Sequence, residues 1–331
     1  MNFPTKSTLF FIIVSICFIN TGCLKKIVIK KVAGALASGE GTVFTGDNDP
    51  QLIADALPFA LKTYESLLSG LPDDENLLYA TGRTFCMYAY AFVQVPADTI
   101  SDSRIKEKTE QYMRAKKLYS RARDYLLKAM ELRHTGFNKL LNSNRTDSAL
   151  TLLTIADSSL IYWTGASWMG AFTADKFDMK LALNMPKAVA LMKLLLKLNE
   201  SFGNGVVHDF FISYYGSMPL SMGGSEEKAR HHFSRSLELS KGTSAGPYVS
   251  LATSVCVSNQ YHEEFQTLLN QALTIDVEAY SANRLANTIS QNRARWLLDY
   301  MDNFFILNID SDSDNEFEND TPEPSETKDT E

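Results

Sequence analysis

The sequence predicts an all-α fold. Three observations carry that prediction. Runs of alternating apolar and polar residues are few. Proline and glycine fall between segments of helix length. Apolar residues recur at three- and four-residue steps through most of the chain, the period of a helix with one buried face.

The segments follow in order. Asp49 is placed to cap a helix with Pro50 at its first position. Leu52, Ala56, Phe59, Ala60, Tyr64, Leu67 and Leu68 then follow at helical spacing, and Gly70 and Pro72 end the segment. A second helix is expected over 76–95, after the acids Asp73, Asp74 and Glu75. Over 111–132, Ala115, Leu118, Tyr119, Ala122, Leu126, Ala129 and Met130 mark one face and lysines and arginines the other. Further helices are expected at 146–173, 185–201, 206–217, 225–240, 246–257, 261–275 and 280–306. Ala188 to Leu198 is broken only by Lys193 and Lys197, four apart, so this helix should be buried on several sides. Gly223-Gly224-Ser225 reads as a turn and an N-cap, with Glu226 and Glu227 in the favourable first turn.

A repeat runs through these helices. A tetratricopeptide repeat is a helix pair of ~34 residues whose second helix carries a small residue and, four later, an aromatic, before a closing proline. Ala60, Tyr64 and Pro72 keep that spacing. Ala122, Leu126 and Ala129 do so too, as do Ala188, Met192 and Leu195. Ala229, Phe233 and Ser236 are a fourth case, and Phe265, Leu269 and Ala272 a fifth with Phe at the small position. The last two start 36 residues apart; earlier intervals are 62, 66 and 41, so those repeats are interrupted or divergent. The architecture expected is an α-solenoid of divergent tetratricopeptide-like helix pairs.

The ends differ from the body. Lys6 precedes an apolar run of 11 residues, Leu9 to Ile19. A spanning helix needs about 20, so the run fits a secretory leader. Thr21-Gly22-Cys23 resembles a lipobox, in which the cysteine is acylated and becomes the new N-terminus, with Asn20 a departure from the usual Leu. The domains are then a leader over 1–22, a lipid anchor and basic tether over 23–34 (Lys25, Lys26, Lys30, Lys31), a helical domain over 35–309 and a disordered acidic tail over 310–331. The tail carries ten acidic residues and one lysine, a net of −9. The whole chain is −7, so residues 1–309 carry +2. Basic residues are too scattered for a nucleic-acid surface. Of four cysteines, Cys86 and Cys256 lie in the body in apolar helical contexts and are expected as buried free thiols.

No constellation for catalysis, cofactor or metal is legible. His231 and His232 are adjacent on a helix and point about 100° apart, a poor metal pair, and are expected on the helix surface. His208 and Asp209 are neighbours that do not face each other; Asp209 suits the positive end of a helix dipole. Gly39, Gly41 and Gly46 lack the Gly-Lys-Ser/Thr of a phosphate loop. The functional candidates are aromatic: Tyr162, Trp163 and Trp168 on a helix rich in Gly, Ala and Ser, and Phe210, Phe211, Tyr214 and Tyr215 on another. They are either solenoid core or the lining of a tunnel, since small-molecule sites are apolar with a few polar groups. Gly165, Ala166 and Gly170 leave room for a partner helix or a cavity.

Several stretches together resemble a known family. They are ALASGEGTVFTGDNDPQLIADALPFALKTYESLL (35–68), YAYAFVQ (88–94), IYWTGASWMGAF (161–172), HDFFISYYGSMPLSMGGSEEKARHHFSRSLEL (208–239) and the region 246–298 ending RARWLL. The chain is similar to the T component of tetratricopeptide-repeat-associated TRAP transporters, a family of bacterial envelope lipoproteins. The resemblance implies a homotrimer with an apolar pore, docking of a periplasmic TRAP-type solute-binding protein, and an accessory role in uptake of small apolar or carboxylated solutes. The implied location is the periplasm, anchored through Cys23, with Leu24 in place of an inner-membrane retention Asp pointing to the outer membrane. The alternative is a tetratricopeptide lipoprotein that scaffolds envelope assembly with protein clients only.

Overall fold

A computed structural model describes residues 43–306. The leader, Cys23, the basic tether and the acidic tail lie outside the described residues. Among the described residues the chain is all-α, with no strand. Helix α1 is Pro50–Gly70. Asp49 caps it by accepting from the Leu52 N–H at 3.0 Å. Its buried face is Ile53, Leu57, Leu61, Tyr64 and Leu68. That corrects the face expected from spacing: Leu52, Ala56 and Phe59 point outward, Phe59 with 79% of its surface exposed. Two apolar stripes coexist on this helix, and only packing against α2 decides between them.

Helix α2, Glu75–Ala89, is capped by Asp74. It continues through a π-helical turn, Tyr90–Gln94, to Asp98. Helix α3, Ile105–Arg133, begins before the expected 111. A short helix that was not expected, α4 Phe137–Asn142, comes next, and the single helix expected over 146–173 is two: α5 Thr146–Leu150 and α6 Ser158–Ala174. The restart has a local cause. Asp157, 1% exposed, accepts from the Thr154 N–H at 2.7 Å and from Arg133 and His134 at 3.0 Å each. Its carboxylate forms a capping box with Thr154 around the 3-10 turn Ile155–Asp157, which separates the two runs and leads into α6. Helix α7 is Met179–Leu198, set early by Asp178, which accepts from the Lys180 and Leu181 N–H groups; Pro186 therefore falls inside it, on the exposed side. It buries Leu181, Met185, Ala188, Val189, Leu191, Met192 and Leu195, a wide band as its composition requires.

The remaining helices lie close to expectation. They are α8 Val206–Ser217, α9 Glu226–Leu239 capped by Ser225, α10 Gly246–Leu251, α11 His262–Leu273 and α12 Arg284–Asp299. A second π-helical turn, Ala252–Cys256, extends α10 to Asn259. Helices pack in succession: α2 on α3, α3 on α6, α6 on α7, then α8 on α9 and α11 on α12. The small residues of the repeat pattern sit at these crossings, where Ala122, Ala188 and Ala229 are fully buried. Facing glycines permit the approach. A Cβ at Gly82 would stand 2.8 Å from the Ala122 carbonyl oxygen, and one at Gly165 2.9 Å from Met192 Cε. Ala60 is the exception, half-buried beside the outward stripe of α1.

Two apolar cores result. One runs from Ile53 to Phe211 and takes in Leu285; the other runs from Ile212 to Leu297. Helices α8 and α12 each contribute to both. Cys86 and Cys256 are free and buried. Burial pushes the Cys256 thiol up to about 12 and Cys86 higher still. Helix α12 also joins the residues before α1, at the start of the described residues. The Leu285 N–H donates to the Thr45 carbonyl at 3.0 Å and Arg284 to the Gly46 carbonyl at 2.8 Å. Asn287 joins α12 to the residues before α10, accepting from the Ala245 N–H and donating to the Thr243 carbonyl. Gln291 donates to the carbonyls at the end of α11.

Candidate functional site

The expected aromatic residues fall into three settings. Tyr162 and Trp163 touch edge to face, with Tyr162 against Phe202 and the Arg83 guanidinium over Trp163. Phe210, Phe211, Tyr214 and Tyr215 form a continuous ring cluster on α8, extended by His232 of α9. Trp168 stands apart: it is 6% exposed, packed under Arg123, and among the described residues stacks on no other ring. Gly165 and Gly170 make room for partner helices rather than for a cavity. A Cβ at Gly170 would run into the Tyr119 ring of α3, as one at Gly165 would into Met192.

A polar group lies between the aromatic ones. Asp98 and Arg293, 195 residues apart, pair at 3.0 Å. The Tyr112 hydroxyl donates to the other Asp98 oxygen at 2.6 Å. Arg293 also interacts electrostatically with the Tyr90 hydroxyl. Asp209, in the first turn of α8, interacts electrostatically with Arg293, Tyr90 and Tyr162. Its Oδ2 lies 3.1 Å from where a Gly246 Cβ would stand, and its Oδ1 is buried with no hydrogen-bond partner. Burial lifts the Asp209 carboxyl to about 6, against the pull of Ser250 and Arg293. The group draws on residues from the π-helical turn after α2 and its continuation to Asp98, and from α3, α6, α8, α10 and α12.

Tyr90 lies within electrostatic reach of Arg293, Asp209 and Asp98 and has 47% of its surface exposed. Tyr162, Asp209 and Arg293 also keep part of their surface open.

The histidines depart from expectation. His231 is on the surface, but His232 is half-buried and its Nδ1 lies 2.8 Å from Nδ1 of His208, itself 3% exposed. The α8–α9 crossing makes this pair, which no spacing along one helix could show. His208 Nε2 is 3.2 Å from Glu200, which Arg235 also holds at 3.0 Å. No group of three or more His, Cys, Asp or Glu among the described residues could hold a metal ion. Likewise, no helix among the described residues is long and apolar enough to cross a membrane.

Among its site candidates, sequence reasoning named Tyr162, which is within electrostatic reach of the polar group. It missed Tyr90, Asp98, Tyr112 and Arg293, because their partners are distant in the chain. One signal was available: the YAYAFVQ stretch holds Tyr90 and becomes a π-helical turn, a feature common at functional sites.

An all-helical chain with aromatic clusters on neighbouring helices and no metal-holding group among its described residues has the form of a binding or accessory protein. The chain belongs to the TRAP transporter T-component family, which residues 46–305 match. A T component is an accessory, envelope-associated member of a TRAP transporter, a partner of its other components, and its family is not an enzyme family. A protein of Treponema pallidum (strain Nichols), itself described as uncharacterized, is 31% identical over 307 residues, 88% of this chain and 95% of the relative.

Proposed function

We propose that this T component is held at the envelope by a lipidated Cys23, docks a periplasmic TRAP-type solute-binding protein, and conveys a small, largely apolar solute through its own interior. The helix pairs are read as a tetratricopeptide-like solenoid closed by α12, and the assembly as a homotrimer. The observation that carries the reading is the run of aromatic side chains on α6 and α8, with Tyr90, 47% exposed, within electrostatic reach of Asp209 and Arg293. Aromatic walls with few polar groups suit small-molecule binding.

Capture from envelope extract with tagged protein tests the docking role. Recovery of a TRAP-type solute-binding protein is expected; its absence from repeated captures would end that part of the reading. Cys23→Ser is expected to release the protein from membranes on fractionation, and retention would argue against the lipid anchor.

A further inference from the structure

Helix α7 leaves one face uncovered. It packs on α6 and touches α5 and α8. The uncovered face begins in the turn before the helix, where Phe177 is 94% exposed, and continues through Met179 at 71% and Leu183 at 75%. Pro186 follows on the same side, since steps of four and three residues keep to one face of a helix. Large apolar side chains so open and so close together mark a contact surface.

The charge around this face has one sign. Helix α7 carries no acidic residue. Lys176, Lys180, Lys187, Lys193 and Lys197 belong to the turn and the helix, and none of them forms an ion pair among the described residues. The two acids of the turn, Asp175 and Asp178, are both held by Lys116 of α3, at 2.8 and 2.6 Å. The lysines are therefore left without counter-charge beside exposed apolar side chains. A surface that satisfies both is anionic outside and apolar just beneath, which is the makeup of a bilayer with anionic headgroups.

The position of the face agrees. Arg133 at the end of α3 reaches Glu75 and Asp157 at the starts of α2 and α6. Asn199, after α7, donates to Ser158 at the start of α6 at 3.3 Å. Helices α2, α3, α6 and α7 thus alternate in direction. Phe177 then lies at the end of the array where α2 finishes, and Gln94 and Thr173 meet there at 3.4 Å. Helix α1 starts toward this same end, because only residues 71–74 separate it from α2. The chain before Val43 joins there. Residues 24–42 connect it to Cys23, a reach of at most about 65 Å.

We infer that the outer face of α7, with the turn before it, rests on the anionic headgroups of the membrane. Phe177, Met179 and Leu183 enter the interface, and the lysines lie among the phosphates. The inference rests on the Cys23 anchor to bring the protein to the bilayer; the α7 contact then fixes which side faces it.

A polarity-sensitive dye on Phe177→Cys of the mature protein tests this, because Cys86 and Cys256 are buried and Cys23 is acylated under the same reading. Ser69→Cys, at the opposite end of the array, carries the control dye. On vesicles of phosphatidylcholine and phosphatidylglycerol, the dye at 177 should shift to the blue and be quenched by spin-labelled lipid, while the dye at 69 stays as in water. Lys180→Gln with Lys187→Gln should weaken the contact about fivefold for each charge removed, and Leu183→Glu should weaken it too. Vesicle-bound protein whose dye at 177 stays as in water would overturn the inference. So would equal shifts at 177 and 69, or equal shifts on vesicles with and without phosphatidylglycerol. A shift that needs no vesicles, only more of this chain or added solute-binding protein, would assign the face to a protein instead. Protein that stays off the vesicles would overturn both this contact and the anchor. Fractionation of Cys23→Ser judges the anchor alone, so the two can fail separately.

Discussion

His208 of α8 and His232 of α9 face each other Nδ1 to Nδ1 at 2.8 Å. Such a contact needs one ring to donate and the other to accept, so the two cannot both be protonated. Burial, then His208 and His231, hold His232 down to about 4. A depressed histidine contributes stability that is present above its unfolded pKa near 6.5 and lost as pH falls toward 4. Thermal unfolding should therefore show wild type losing about 2 kcal/mol between pH 7.5 and 4.5 through this pair. His232→Phe, which keeps the stacking on Phe211 and Tyr215, should lose less over the same range. Parallel pH profiles for the two proteins would show that the pair is not the cause.

Asp209 should titrate with the opposite sign. Its folded pKa is raised to about 6 by burial, so the penalty for its charge is absent below the unfolded value and complete above 6. Asp209→Asn should stabilise the protein by about 2 kcal/mol at pH 8 and change little at pH 4. Denaturant melts at the two pH values measure it. Loss of stability at pH 8 would mean that the charge has a partner.

Asp98 and Arg293 join the end of α2 to α12. The pair is only partly buried, so removing one member leaves the other partly solvated. Arg293→Ala should cost about 2 kcal/mol, the scale of a charged hydrogen bond, and Asp98→Asn a similar amount. The double variant should cost less than the sum of the two, which a double-mutant cycle reads directly.

Gly82 and Gly165 both sit at close helix crossings, but their neighbours differ. A Cβ at Gly82 meets the Ala122 backbone oxygen at 2.8 Å, which cannot move without moving α3. A Cβ at Gly165 meets the flexible end of Met192. Ala gains about 1 kcal/mol over Gly in a helix. Gly165→Ala should therefore be near neutral, and Gly82→Ala should destabilise by about 2 kcal/mol. Equal effects in thermal melts would show that the α2–α3 approach is not rigid.

Asp157 offers a check on the restart of α6. Burial alone would raise its carboxyl, but the Thr154 N–H, His134 and Arg133 hold it below the usual range. Its contribution is present at neutral pH and lost as pH falls through that lowered value. Asp157→Ala should cost about 3 kcal/mol at pH 7, and less in strong acid, by chemical denaturation.

The sequence by itself determined the helical class, the places where most helices begin and end, and the crossings at Ala122, Ala188 and Ala229. These depend on period, caps and small residues, which are local and readable in one stretch of chain. Tertiary structure decided the rest. It chose between the two stripes of α1 and buried Leu57 and Leu61 instead of Phe59. It split the helix expected over 146–173, because Asp157 found Arg133 and His134 on another helix. It brought His208 to His232, and Asp98 to Arg293 across 195 residues. Charges and hydrogen bonds are satisfied by whatever the fold places within about 3 Å, and that distance in space has no fixed counterpart along the chain.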